Sequence, residues 1–157
     1  MAALKMTEDL DIAPVNILKM SVGIDSVDEL AAVQRRRLAE AAADGGPAEL
    51  RSMTRHAPRR AKAVVAGGSI YWVIKGFVRA RQRILRIDLL DEPIRGKRCA
   101  FILDPELVRT ELQARRPHQG WRYLEAKDAP ADLARAAAGI DDFPPELASE
   151  LRALGLI

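Results

Sequence analysis

The sequence predicts a single α+β domain in which a mostly antiparallel, bent or barrel-like sheet of four to six strands is packed by about four helices. Three observations carry that expectation. Ile70, Trp72 and Ile74 alternate with Tyr71, Val73 and Lys75, and beyond Gly76 the stretch FVRARQRILRID keeps a period of two, so strands follow closely in sequence. Capped segments of helical period stand apart from these strands rather than alternating regularly with them. The 157 residues, 48% hydrophobic and 30% charged, suit one core and are too apolar for a disordered chain.

Taken in order, residues 1–14 lack periodicity and read as a loose extension, leaving 15–157 as the domain. Val15 to Val22 (VNILKMSV) reads as a strand buried on both faces and ended by Gly23. Ser26 followed by Glu29 is a capping box, and Val27, Leu30, Ala31, Gln34, Leu38 and Ala41 then recur at helical spacing until Gly45-Gly46. Arg35, Arg36 and Arg37 cover the solvated sides of that helix. Pro58 suits a first helical position, so PRRAKAVVA predicts a second, shorter helix stopped by Gly67-Gly68. Strand 70–75 follows, and Gly76 permits a bend or bulge.

In the next strand Val78, Ala80 and Ile84 share one face and Arg79, Arg81 and Arg83 the other. After Ile84 the apolar set becomes Leu85, Ile87 and Leu89. One extra residue near Ile84-Leu85, a β-bulge, restores the register and puts Arg86 and Asp88 on the arginine face. DEPIRGK reads as a turn, and Cys99 to Leu103 as a central strand holding a buried, inert thiol. Asp104-Pro105 predicts one helical turn, Val108 to Leu112 a short strand, and RRPHQGWRYL a structured loop leading into a strand. Helices over Pro130 to Ala138 and Pro144 to Leu154, ended by Gly139 and Gly155, complete the four.

A single cysteine excludes an internal disulfide, and the chain has neither a signal-peptide h-region nor an apolar run of about 18 residues, so a cytoplasmic address without a membrane is expected. Net charge is +3, but 51–122 holds 17 Lys/Arg against six acids, whereas the remainder holds 8 against 16. A basic middle thus lies between acidic flanks.

Several chemistries fail on spacing. Gly67-Gly68-Ser69 follow a helix and enter a strand, the reverse of a phosphate-cradling loop. Cys99 with the distant His56 and His118 is no zinc set, and Ser69 lies in no nucleophile elbow. Carboxylates for magnesium or paired acid–base work would have to come from Asp88, Asp91, Glu92, Asp104 and Glu106, several of which already serve turns or caps. No cofactor is expected.

Binding of an anionic polymer fits better, because charge, amides and rings occur together. The candidate residues are Lys75, Arg79, Arg81, Gln82, Arg83, Arg86, Arg116, Gln119, Trp121, Arg122 and Tyr123. Gln82 faces away from the arginine ladder, and Trp72 shares a stripe with Ile70 and Ile74 and reads as core. The leading expectation is a non-catalytic module binding RNA or another nucleic acid. The alternative is a small-molecule-binding domain or enzyme for a phosphorylated or carboxylated ligand, with Arg81, Arg83 and Arg122 converging on a cavity beside Trp121. A third is a protein-interaction domain whose basic middle holds the acidic flanks or a partner. The sequence leaves oligomeric state open.

At GGSIYWVIKG, RQRIL, LDPELVRTE and RPHQGWRYL the sequence resembles the bacterial domain-of-unknown-function family 1489. The resemblance covers about residues 15–135, implies one intact domain and assigns no activity. In that pattern an aromatic residue stands where this chain has His118, which argues against a catalytic role for His118.

Overall fold

A computed structural model of the chain describes residues 12–134 and 153–155. Seven strands dominate it: β1 (Val15–Met20), β2 (Leu50–Thr54), β3 (Ser69–Ile74), β4 (Phe77–Glu92), β5 (Gly96–Leu103), β6 (Val108–Ala114) and β7 (Trp121–Glu125). Two helices, α1 (Val27–Ala43) and α2 (Ala61–Val65), are interspersed, and a 3-10 turn follows β7.

This corrects the expected fold class. The domain is a mixed seven-stranded sheet with two helices among the described residues, not a sheet packed by about four. Asp104 does not start a helical turn; its Oδ1 accepts the Glu106 N–H at 2.9 Å and closes a bend between β5 and β6. Of the helix expected at 130–138 only residues 133–134 are described as helical, and the one expected at 144–154 lies outside the described residues except for its last two positions. Residues 1–11 of the expected extension also lie outside them, while Ile12 already packs against the core.

The sheet runs β2-β5-β4-β3-β1-β7, with β6 continuing beside β4 where β5 leaves off. β1 and β3 are parallel and the other five pairings antiparallel. Lys75 (φ 49°) and Gly76 (φ 80°) form the left-handed pair that a two-residue hairpin needs, so the segment around Gly76 is the β3–β4 turn.

β4 carries two irregularities. Ile84 opposes Leu103 and Arg86 opposes Ile102, leaving Leu85 as the bulged residue that the phase change at Ile84 predicts. The second lies at Arg79, since Val78 opposes Val73 whereas Ala80 opposes Trp72. Val78 therefore joins Leu18, Tyr71, Val73 and Leu124 in a small outer cluster, while Ala80 and Ile84 enter the main core. The expectation that Val78, Ala80 and Ile84 share one face is corrected accordingly.

The bulges let the long strand bend, and the two ends of the sheet come face to face. Three strands lie between β2 and β1, yet the Lys19 ammonium on β1 donates to Ser52 Oγ (2.7 Å) and Met53 O (2.8 Å) on β2. Trp121 Nε1 of β7 donates to His56 O just beyond β2 (2.8 Å), and its ring meets Phe101 of β5 edge-on at 6.4 Å. Inside lie Val15, Ile17, Ile70, Trp72, Ile74, Ile84, Phe101 and Leu103, and α1 adds Val27 and Leu30. Burying each such aliphatic side chain contributes about 2 kcal/mol. Helix α1 starts where the capping box predicts: Ser26 Oγ accepts the Glu29 N–H, and Glu29 returns a bond to the Asp25 N–H.

Candidate functional site

The structure keeps Arg81, Arg83 and Arg86 on one outer face of β4 together with Asp88, while the bulge sets Arg79 apart. Arg122, Leu18, Tyr71 and Arg81 stand opposite one another along one outer row of the sheet. Three strand spacings, roughly 14 Å, separate the two arginines. Arg81 is already engaged: its Nε and Nη2 donate to the two Asp132 carboxylate oxygens at 2.6 and 2.7 Å, and Nη1 reaches Ser69 Oγ at 3.2 Å. Asp132 holds the guanidinium charged, above its ordinary range. Arg86 clasps both Glu49 and Asp88, and it depresses both carboxylates in return. Arg79 sits at its bulge, donating to Ile74 O over the Phe77 ring. Arg83 is exposed, its backbone O accepting the Asp104 N–H at 2.9 Å, and its side chain makes no hydrogen bond or ion pair among the described residues.

The remaining candidates scatter. Lys75 lies at the hairpin tip, 3.9 Å from Asp25. Gln82 is wholly buried in the core, bonded to Gln34, Trp72 Nε1 and Asp104 O. Arg116 and Gln119 are exposed in the loop before β7, and Arg122 reaches backbone oxygens of Gln119 and Trp121. Trp121 and Tyr123 face the opposite side of the sheet from Arg122; Trp121 packs between Phe101 and Tyr123, and Tyr123 Oη accepts the Arg60 N–H. Arg81, Arg83 and Arg122 thus do not converge beside Trp121. Cys99 is buried, and burial raises its thiol pKa.

What the fold does build is a cleft of about 510 Å³ where α1 and the β1–α1 loop meet the inner edge of β2. Its polar floor holds Lys19, Gln34 and Ser52; its rim carries Arg37 and Arg51 beside Glu49; Ile24, Leu30, Val33, Leu50 and Met53 supply apolar wall. Lys19 points inward because its β1 position lies opposite Trp72 and Trp121, both on the inner face. Its ammonium meets two neutral oxygens and makes no ion pair among the described residues. Burial, with Arg98 adding repulsion and Cys99 partly offsetting it, lowers its pKa from 10.5 to about 8.

A smaller polar pocket, formed by Asn16, Ser69, Tyr71 and the Arg81–Asp132 pair, opens on the other face. Among the described residues no group of three or more His, Cys, Asp or Glu side chains is placed to hold a metal ion, and no helix is long and apolar enough to cross a membrane.

Sequence reasoning missed Lys19, although a signal existed: it is the only charged residue in the apolar run VNILKMSV. Its lowered pKa carries a prediction with a definite sign. Between pH 8 and 10.5 the unfolded chain binds a proton that the folded one does not, so wild-type stability gains with rising pH across that window. Lys19→Met should therefore show its most favourable stability relative to wild type below pH 8, and lose about 1–2 kcal/mol of that advantage by pH 10.5, after discounting for partial solvation. Urea denaturation of both proteins across this range checks it; parallel stability curves contradict it.

No curated protein and no solved structure matches the chain. The family model described as "Protein of unknown function (DUF1489)" matches residues 17–157, extending through the C-terminal segment beyond the region of sequence resemblance. Covering the chain from within β1 to residue 157, that match identifies it as belonging to the DUF1489 family.

Proposed function

We propose that this domain binds a small anion with an aliphatic body in the cleft between α1 and the β1–β2 ends of the sheet. The carrying observation is Lys19, a desolvated cation on the cleft floor whose described partners are two neutral oxygens. A buried charge without a counter-ion is costly, and a ligand carboxylate or phosphate supplies one. Arg37 reinforces the sign of the site, while its one lining carboxylate, Glu49, is neutralised by Arg86 and Arg51. The apolar wall suits a branched or linear hydrocarbon, and the volume lies within the usual range for small-ligand sites.

Isocaproate is a suitable probe. It should raise the melting temperature of the full chain in a saturable, pH-dependent way, and the effect should fade as pH rises through about 8, where Lys19 discharges. Lys19→Met should weaken binding at least tenfold, roughly the value of one charge-assisted hydrogen bond. Equal affinity in the two proteins removes the site's central residue from the account.

Binding of RNA by the outer face is a second reading, supported by Arg83 and Arg116, which remain exposed without a carboxylate partner among the described residues. Retention on RNA at low salt that falls with salt, and falls less steeply in Arg83→Ala, would favour it.

A further inference from the structure

We propose that Lys19 forms an imine with the carbonyl carbon of an α-keto acid seated in this cleft. The inference rests on the anion-binding reading above and adds a covalent step to it. Lys62, Lys75, Lys97 and Lys127 are all exposed, whereas Lys19 is partly buried at the cleft floor. Its Nζ is tethered by Ser52 Oγ and Met53 O, so the nitrogen is held in one place instead of sweeping through solvent. The carboxylate of an α-keto acid is recognised by the cations lining the cleft, its carbonyl adjoins that carboxylate, and its aliphatic tail meets Ile24, Leu30 and Val33.

The chemistry balances without an oxidant or reductant. The neutral amine's lone pair attacks the carbonyl carbon and the carbonyl oxygen takes up a proton, giving a carbinolamine. The nitrogen lone pair then expels the hydroxyl, which takes up a second proton and leaves as water, and the protonated carbon–nitrogen double bond so formed releases its N–H proton to give the imine. Ser52 Oγ, 2.7 Å from Nζ, is placed to accept a proton from nitrogen while passing its own to the departing oxygen. At pH 7.5 about a quarter of an amine with pKa near 8 is neutral, against about one part in a thousand for an ordinary lysine.

The test uses the full chain with α-ketoisocaproate and cyanoborohydride at pH 7.5, read by intact mass and peptide mapping. The expected result is one reduced adduct, on Lys19, forming at least tenfold faster than on any of the four exposed lysines, which serve as internal controls. Isocaproate should slow it by competition, and Lys19→Arg should abolish it. Ser52→Ala should slow adduct formation severalfold. Labelling of Lys19 no faster than of the exposed lysines overturns the imine. If isocaproate still stabilises the protein in that case, the anion-binding reading stands alone; if it does not, both fall.

Discussion

Gly68→Ala should cost at least about 4 kcal/mol of folding stability, a large part of the roughly 5–15 kcal/mol that is ordinary for a domain. A Cβ on Gly68 would overlap the backbone carbonyl oxygens of Val15 and Val64, neither of which can swing aside as a side chain could. Those oxygens belong to β1 and α2, and Gly68 N itself donates to Val64 O at 2.8 Å. The glycine therefore marks the point where α2 closes onto the parallel β1–β3 pair, and relief would require parting that pair. Gly76→Ala is the proper contrast. It has positive φ but open space around it, so it should cost only about 1–2 kcal/mol, the strain of a left-handed alanine. Urea denaturation of the two variants measures the difference, and equal costs would mean that the close approach at Gly68 is not native.

Gln82→Leu should cost about 3–5 kcal/mol despite being an apolar substitution inside a core. Gln82 has 0% exposure, and its amide exchanges bonds of 2.7 and 2.8 Å with Gln34, accepts Trp72 Nε1–H at 2.9 Å and donates to Asp104 O at 3.1 Å. Leucine leaves the buried Gln34 amide and the Trp72 N–H without partners, each costing about 1–3 kcal/mol. Replacing both glutamines by leucine should recover about 1–2 kcal/mol relative to the sum of the single changes, because one set of orphaned groups disappears. A single-variant cost below 1 kcal/mol would show that the network does not fasten α1 to the sheet.

Much of the local structure was legible. The alternation across 70–89 gave β3 and β4, and the change of phase after Ile84 located the bulge at Leu85, because a register slip moves apolar residues to the wrong parity. The bulge at Arg79 left no such mark. Val78 and Ala80 are both apolar, so a slip between them keeps the hydrophobic pattern while sending Val78 to the outer cluster. The shared face of Arg81, Arg83 and Arg86 was legible, but their pairing was not. Whether an arginine is available to a ligand depends on carboxylates distant in sequence, such as Asp132 for Arg81 and Glu49 for Arg86. Gln82 was legible as facing away from the arginines, but its partners Gln34 and Asp104, distant in sequence, were not. The cleft requires β1 to meet β2 across the folded sheet, a non-local contact with no local signature, yet the lone Lys19 in an apolar strand pointed to its floor.

Backbone amide resonances followed during titration with isocaproate at pH 7 test the central claim most directly, because they report where the ligand sits as well as whether it binds. Saturable shifts confined to residues 19–24, 30–37 and 50–53 are expected, requiring at least tenfold more ligand in Lys19→Met. Shifts centred instead on the outer face around Arg81, Arg83 and Arg122, or no saturable shifts in the cleft, would contradict that claim.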